Sequence, residues 1–292
     1  MKQRSLARQG FTLIELMLSM IIAAVVGAAL IRMSLAQARF MDQQEAWRNA
    51  RSVARGGINR LVSDLRAVEA SQGVEAALAG GQDFTVRVPY AFGVVCLSTG
   101  TVHTVALLPV DSSMYAASGF SGFAVRDKAG NYNYQTAGAS IAGVGNAANC
   151  AGAFPVLTPL PSLNGSPTGR LIELHSGAIA IPDPGSLIFL FRRIHYQFKN
   201  STAVPGRNGL FRTMLDGGAP EEEIATPFDN TARVNFYVLN NGVAQAAVPA
   251  PLGNIRGLEL VLNGQSERTP GGSAAPKSAN VTTSVFFENR PD

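Results

Sequence analysis

Residues 10–17 read Gly10-Phe11-Thr12-Leu13-Ile14-Glu15-Leu16-Met17, and the apolar run they open continues to Ile31. Among the 21 residues from Phe11 to Ile31, Glu15 is the one charged side chain. A helix rises about 1.5 Å per residue, so this segment spans roughly 31 Å, enough to cross a bilayer core. A charge placed at the centre of such a helix costs roughly 2.5–3.5 kcal/mol on insertion scales measured for other charged residues. A carboxylate there calls for a partner. Lys2, Arg4 and Arg8 precede the run. Basic residues stay on the cytoplasmic side, so the chain beyond the helix is expected to cross. An ordinary secretory signal is cut after its apolar region; here the basic residues and the small residue Gly10 come before it.

The helical pattern outlasts the membrane. The first proline after Phe11 is Pro89, and residues 32–70 are rich in Ala, Leu, Gln, Arg and Glu, all good helix formers. Ile58, Leu61, Val62, Leu65 and Val68 recur on one helix face. One long helix over about 12–70 is expected, apolar all round in its first half and amphipathic in its second. Gly56-Gly57 is a weak point, costing about 1 kcal/mol per glycine against alanine, where a bend would fall. The stripe from Ile58 to Val68 is expected to lie against a sheet. Arg48, Arg51 and Arg55 share a face and read as a solvated surface or a contact with acidic groups of a neighbour. Trp47 reads as a subunit contact or as packing on the chain's own head.

After Gln72 the composition turns to Gly, Ala and Ser with short β-like runs at 84–88, 93–97, 102–106 and 120–125. Residues 136–153 are small and turn-rich and are expected to form a loop. The second half is more regular: a hairpin from 187–198 and 209–214, then strands at 232–239, 255–262 and 281–290. Several strands joined by turns imply an antiparallel sheet. The fold class expected is α+β, one long helix packed on a β-rich head.

Whole-chain numbers narrow the function. The 292 residues are 46% apolar and 15% charged, with a net charge of +4. Lys2, Arg4 and Arg8 account for three of 24 basic residues, leaving 21 against 20 acidic ones. Nothing in that balance argues for nucleic acid. Cys96 and Cys150 lie in the part expected outside the cytoplasm, where an even count favours one disulfide, two buried free thiols being the alternative. That bridge would close about 55 residues and contribute roughly 4 kcal/mol in chain-entropy models.

The stretch Gly10 to Met17, behind its basic leader, resembles the class III signal of type IV pilins and their relatives. The resemblance implies that a prepilin peptidase cuts between Gly10 and Phe11 and N-methylates Phe11, and that the helix stays in the membrane until the subunit enters a filament. It implies pairing of Glu15 with the methylated amine of a neighbouring Phe11. The organisation is then a leader over 1–10, a helix over 11–70 that is transmembrane in 11–31, and a head over 71–292. The elements from Arg192/Arg193 to Phe198, Gly209 to Arg212, Val234 to Leu239, Ile255 to Leu262 and Val281 to Arg290 resemble the C-terminal half of PilW-type minor pilins, and are similar to the J-type pseudopilin of type II secretion. Two features depart from these families. Arg32 stands where many major pilins have a proline, and the ending Glu288-Asn289-Arg290 reverses their Arg-Asn order.

The function this implies is a minor pilin at or near the tip of a type IV pilus, promoting its assembly. The partners implied are other major and minor pilins, the peptidase, the inner-membrane assembly platform and the membrane. The head would sit in the periplasm behind a single inner-membrane span and later on the cell-surface pilus. A J-type pseudopilin is the nearest alternative. An anchored adhesin or ligand-binding module is another, and would show an exposed aromatic or charged pocket in 72–186. No enzyme, cofactor or metal is expected. His103, His175 and His195 are far apart in sequence and read as strand residues, with no H-E-x-x-H, G-x-S-x-G or phosphate-binding glycine loop. The acidic stretch from Asp216 to Glu223, with Asp229 and Asn230, reads as a solvated loop, calcium being the sharper alternative.

Overall fold

A computed structural model describes residues 12–107, 110–111, 115, 119–136, 138–144, 150, 171–177, 182–239 and 241–287. Among the described residues a long helix, α1 (Leu13–Leu65), leads into thirteen strands of a single sheet in which every pairing is antiparallel. The strands are β1 (Val74–Ala77), β2 (Asp83–Thr99), β3 (Val102–Leu107), β4 (Gly122–Arg126), β5 (Tyr132–Gln135), β6 (Ser140–Val144) and β7 (Leu171–His175). Then come β8 (Leu187–Asn200), β9 (Asn208–Met214), β10 (Glu222–Phe228), β11 (Arg233–Val238), β12 (Ile255–Gln265) and β13 (Ser278–Phe286). The expected α+β architecture, a long apolar N-terminal helix followed by an antiparallel head, is the pilin-like one observed.

With 53 residues, α1 is about 80 Å long. No residue from 13 to 45 is buried, and the buried stripe runs Ala46, Ala50, Ala54, Gly57, Ile58, Leu61, Leu65. The stripe is graded in size. At its lower end the residues are so small that backbones touch: a Cβ on Gly264 of β12 would lie 2.1 Å from the Ala50 carbonyl oxygen and 3.1 Å from the Ala54 Cβ. Higher up, Ile58, Leu61 and Leu65 fill a wider gap against Phe84, Tyr196, Phe236, Leu258 and Leu260. The expected bend is not a break, since the helix is continuous through Gly56-Gly57. The two glycines play opposite parts. Gly57 faces Phe228 and Leu262, which a Cβ would meet at 2.9 and 3.1 Å, whereas Gly56 has nothing within 4 Å.

The helix ends at Leu65, before the expected residue 70, because Glu69 is drawn into a turn. Its buried carboxylate accepts from the Ser71 N–H (2.9 Å) and hydroxyl (2.6 Å), and from the Tyr134 hydroxyl (3.2 Å). Val68 stays in the core beyond the helix end. Asp64 fixes the helix from the other flank. It accepts from Arg212 Nε at 3.0 Å and from the hydroxyl of the fully buried Tyr196.

β2 and β8 pair along Asp83–Val94 and Leu187–Gln197 and run through both halves of the head. Ile194, Tyr196 and Phe198 of β8 belong to the core under α1. Ile188 and Leu190, on the same face, belong to a second core with Val105, Phe123, Ile172 and Leu174. The register of β2 shifts between Pro89 and Ala91, where the two cores divide. The sequence separates 84–88 from 93–97 because a proline demotes a strand interior; the shift accommodates Pro89, so the two runs are one strand. β6 likewise forms inside the stretch expected to be loop, and the expected acidic loop carries Glu222 and Glu223 into β10. The ending at 288–290 lies outside the described residues.

The graded contact makes a paired prediction. Gly264→Ala should destabilise the head by about 1–3 kcal/mol, the usual range for overpacking, because backbone must move. Gly56→Ala should stabilise it by up to about 1 kcal/mol. Urea unfolding of the full chain in detergent measures both; equal effects of the two substitutions would contradict the graded stripe.

Candidate functional site: the exposed half of the helix

Thr12 caps α1, its side chain accepting from the Glu15 N–H at 3.4 Å and its carbonyl from the same group at 3.1 Å. Thr12-x-x-Glu15 has capping-box spacing, and a carboxylate in the first turn also faces the positive end of the helix dipole. Glu15 is thus suited to its place within one chain while remaining exposed. Gly10 and Phe11, the expected cut and methylation positions, lie outside the described residues. Around Glu15 the side chains of Leu13, Ile14, Leu16, Met17, Leu18, Met20, Ile21 and Ile22 are each more than half exposed. Mean hydropathy reaches 2.5 over 18 residues, and by length and composition α1 can cross a membrane. The 33 residues outside the head, 13–45, extend about 50 Å, longer than a hydrocarbon core of about 30 Å. The excess is the polar neck that carries Arg32, Arg39, Asp42 and Glu45.

The loop between β12 and β13 grips this neck. Pro270 is buried, and a Cβ on Gly272, whose φ is +80°, would lie 3.6 Å from Arg39 Cδ. Trp47 is half-exposed, with the Arg51 guanidinium 5.4 Å from its ring centre. Its packing partner is therefore an arginine one turn on.

The histidines are all engaged. His103 is fully buried between the hydroxyls of Ser98 (3.0 Å) and Ser176 (2.9 Å). Burial, reinforced by the charge of His175, holds its pKa below the usual imidazole range. His175 meets Glu173 at 3.0 Å and His195 meets Asp83 at 2.9 Å. The strands β3 and β7 bring His103 and His175 together, but His103 has no access to solvent. In the acidic stretch, Glu223 holds the β8–β9 turn, accepting from the Ser201 and Thr202 hydroxyls (both 2.5 Å) and the Thr202 N–H (3.0 Å). Burial raises its pKa and these hydrogen bonds lower it; the balance lies below the ordinary carboxylate value. Among the described residues no group of three His, Cys, Asp or Glu side chains is placed to hold a metal ion. Cys96 and Cys150 are joined in the structure, Cα atoms 4.8 Å apart, tying residue 150 to β2.

A cleft of about 1080 Å³ lies between the β4–β5 hairpin and residues 182–187. Its charged and aromatic groups are taken up within the chain: Lys128 pairs with Asp183 at 2.9 Å, Asp127 accepts from the Asn131 N–H at 2.9 Å, and the Tyr134 hydroxyl donates to Glu69. The contacts that sequence reading missed are Gly264, Gly57 and the Asp64–Tyr196–Arg212 group. Their partners lie on strands distant in sequence, and an isolated glycine or aspartate carries no mark of them.

The fold and the exposed helix make a pilin-like architecture. The family model of the prokaryotic N-terminal methylation motif matches residues 6–31. No curated protein and no solved structure matches the chain. The motif supports a type IV pilin-like protein, of a structural rather than catalytic family. It implies processing by prepilin peptidase and assembly with other pilins, and with the apolar helix it is consistent with membrane anchoring.

The geometry around Glu15 makes a prediction of its own. Glu15→Leu should enter the membrane at least as well as the wild type, because a costly charge is gone, yet be recovered poorly in sheared filaments. Membrane fractionation with quantitative mass spectrometry of filaments reads both; normal recovery would contradict an assembly role for the carboxylate.

Proposed function

We propose that this chain is a minor pilin, made as a precursor whose residues 1–10 are removed, anchored through 11–31, and incorporated at or near the tip of a type IV pilus, where it promotes assembly. The observation that carries this reading is the division of α1: one half locked to the head, the other exposed, its residues 13–31 apolar on every side around Glu15. The uncovered half is at home only in lipid or among similar helices. Cleavage between Gly10 and Phe11 would free an amine one turn from Glu15. In lipid that amine and the carboxylate of a neighbour neutralise each other, which favours packed helices over isolated ones. The Cys96–Cys150 bridge would form once the head reaches an oxidising compartment. Nothing in this function calls for catalysis.

Scarcity and the end position follow from size. A compact domain of 222 residues, the length of 71–292, would have a radius of gyration of about 17 Å, hence a width of roughly 44 Å. Packed helices stand about 8–10 Å apart. Such a head on every subunit would crowd its neighbours; at an end, one side is free. PilW-type minor pilins have this role, and the resemblance of the strands from β8 onward supports the assignment. A J-type pseudopilin would present the same helix.

Immunogold labelling of filaments with antibody to the head tests the placement. Label should fall at filament ends, and deletion should lower filament number far more than the protein's share of filament mass. Label spread along the shaft, or unchanged filament number, would overturn the reading.

A further inference from the structure

Among the described residues β13 forms a border of the sheet. Its pairing with β12 is unbroken from Gly257 opposite Phe286 to Gln265 opposite Ser278. In an antiparallel ladder, opposed residues alternate between pairs that exchange both hydrogen bonds and pairs that direct theirs away. The Phe287 N–H donates to the Arg256 carbonyl at 2.9 Å, and the Ser266 N–H to the Lys277 carbonyl at 2.8 Å. These two bonds flank the ladder and set its phase: the odd-numbered residues of β13 bond to β12. Ser278, Asn280, Thr282, Ser284 and Phe286 therefore turn both N–H and C=O outward. All five are exposed, and no described residue bonds to those outward groups.

The other side of β12 is treated differently. There the outer edge of β11 is occupied: Phe236 exchanges backbone bonds with Gln245 (2.8 and 3.0 Å), and the Val234 N–H donates to the Gly81 carbonyl at 2.8 Å. An open edge is a template for another strand, and proteins commonly block it with charge, proline or a bulge. From Ser278 to Phe286 there is no charge, no proline and no register shift, while Val281, Thr282, Thr283 and Val285 are β-branched.

The helix supplies the second half of the surface. Gly57 faces Phe228 and Ala225 of β10, and Asp64 meets Arg212 of β9. At 3.6 residues per turn, Arg51 and Arg55 fall on the opposite flank of the buried stripe, the β13 side. Both are exposed, and among the described residues neither has an ion pair.

We propose that the outward edge of β13, flanked by Arg51 and Arg55, is an assembly surface on which a strand from a different filament subunit adds to this sheet, with acidic side chains toward the two arginines. In a symmetric pairing a second copy of this chain would offer its own β13, whose residues 278–286 carry no carboxylate. The inference rests on the assembly reading above and names the contact that the head contributes to it.

Amide hydrogen exchange on the full processed chain separates the two, comparing detergent-solubilised protein with sheared filaments. Residues 278–286 and residues 13–45 should both gain protection in filaments, by roughly tenfold or more. Protection of 13–45 alone would overturn the edge proposal and leave the helix reading standing; protection of neither would overturn both. Thr282→Pro removes an outward N–H and leaves the bonds to β12 in place, a substitution that edges tolerate. Its recovery in filaments should fall by roughly tenfold, while Thr282→Val, which keeps the N–H, should be recovered normally. Wild-type recovery of Thr282→Pro would overturn the proposal. A disulfide-linked dimer of this chain through Thr282→Cys would overturn the choice of a different subunit.

Discussion

Everything above the neck depends on the backbone of α1 lying directly on β12. Gly264 allows it: any side chain there would strike the Ala50 carbonyl, 2.1 Å from where its Cβ would stand. Three alanines and Gly57 keep the lower contact thin, and Ile58, Leu61 and Leu65 thicken it above. Each of those three contributes about 1.5–3 kcal/mol by full burial, an upper bound because unfolded chains already bury some apolar surface. The small residues bury little area themselves; they set how closely the helix approaches, and so whether the large ones reach the sheet. Asp64, bonded to Tyr196 and Arg212, then fixes the rotation of the helix about its own axis.

That fixed rotation has a consequence at the other end of the same rod. Because the upper half of α1 cannot turn relative to the head, the lower half presents a defined set of faces to whatever surrounds it. Its residues 13–31 are apolar around Glu15 and exposed, and soluble monomers rarely expose contiguous apolar patches beyond a few hundred Å². Such a surface is suited to lipid or to other helices, and in the proposed assembly a positive partner would neutralise Glu15 there. The methylation motif at residues 6–31 and the geometry of the helix thus point to one role. On the same rod, helix periodicity turns Arg51 and Arg55 toward the flank opposite Gly57 and Asp64, and the proposed assembly surface would use them together with the edge of β13.

The helix was legible because its signals are local. An unbroken apolar run, the absence of proline before Pro89 and the spacing of Ile58, Leu61 and Leu65 need no partner to be read. The β8–β9 hairpin and the strands β11, β12 and β13 were legible for the same reason. Five strands were not. β1, β5, β6 and β7 are only four or five residues long, too short for alternation to rise above chance, and β10 hides behind acidic residues. Glu223 shows why: its charge suggested solvent, but its carboxylate is spent on the turn at Ser201 and Thr202. The open edge of β13 was illegible in principle, because which backbone groups point outward depends on the phase of the ladder with β12.

Intact-mass analysis of the chain recovered from sheared filaments tests whether it is a processed filament subunit. A single species beginning at methylated Phe11 is expected, lost from filaments when Gly10 is changed to Val, with the full-length precursor left in the membrane. A filament-borne chain that still begins at Met1, or one cut beyond the apolar run, would contradict it.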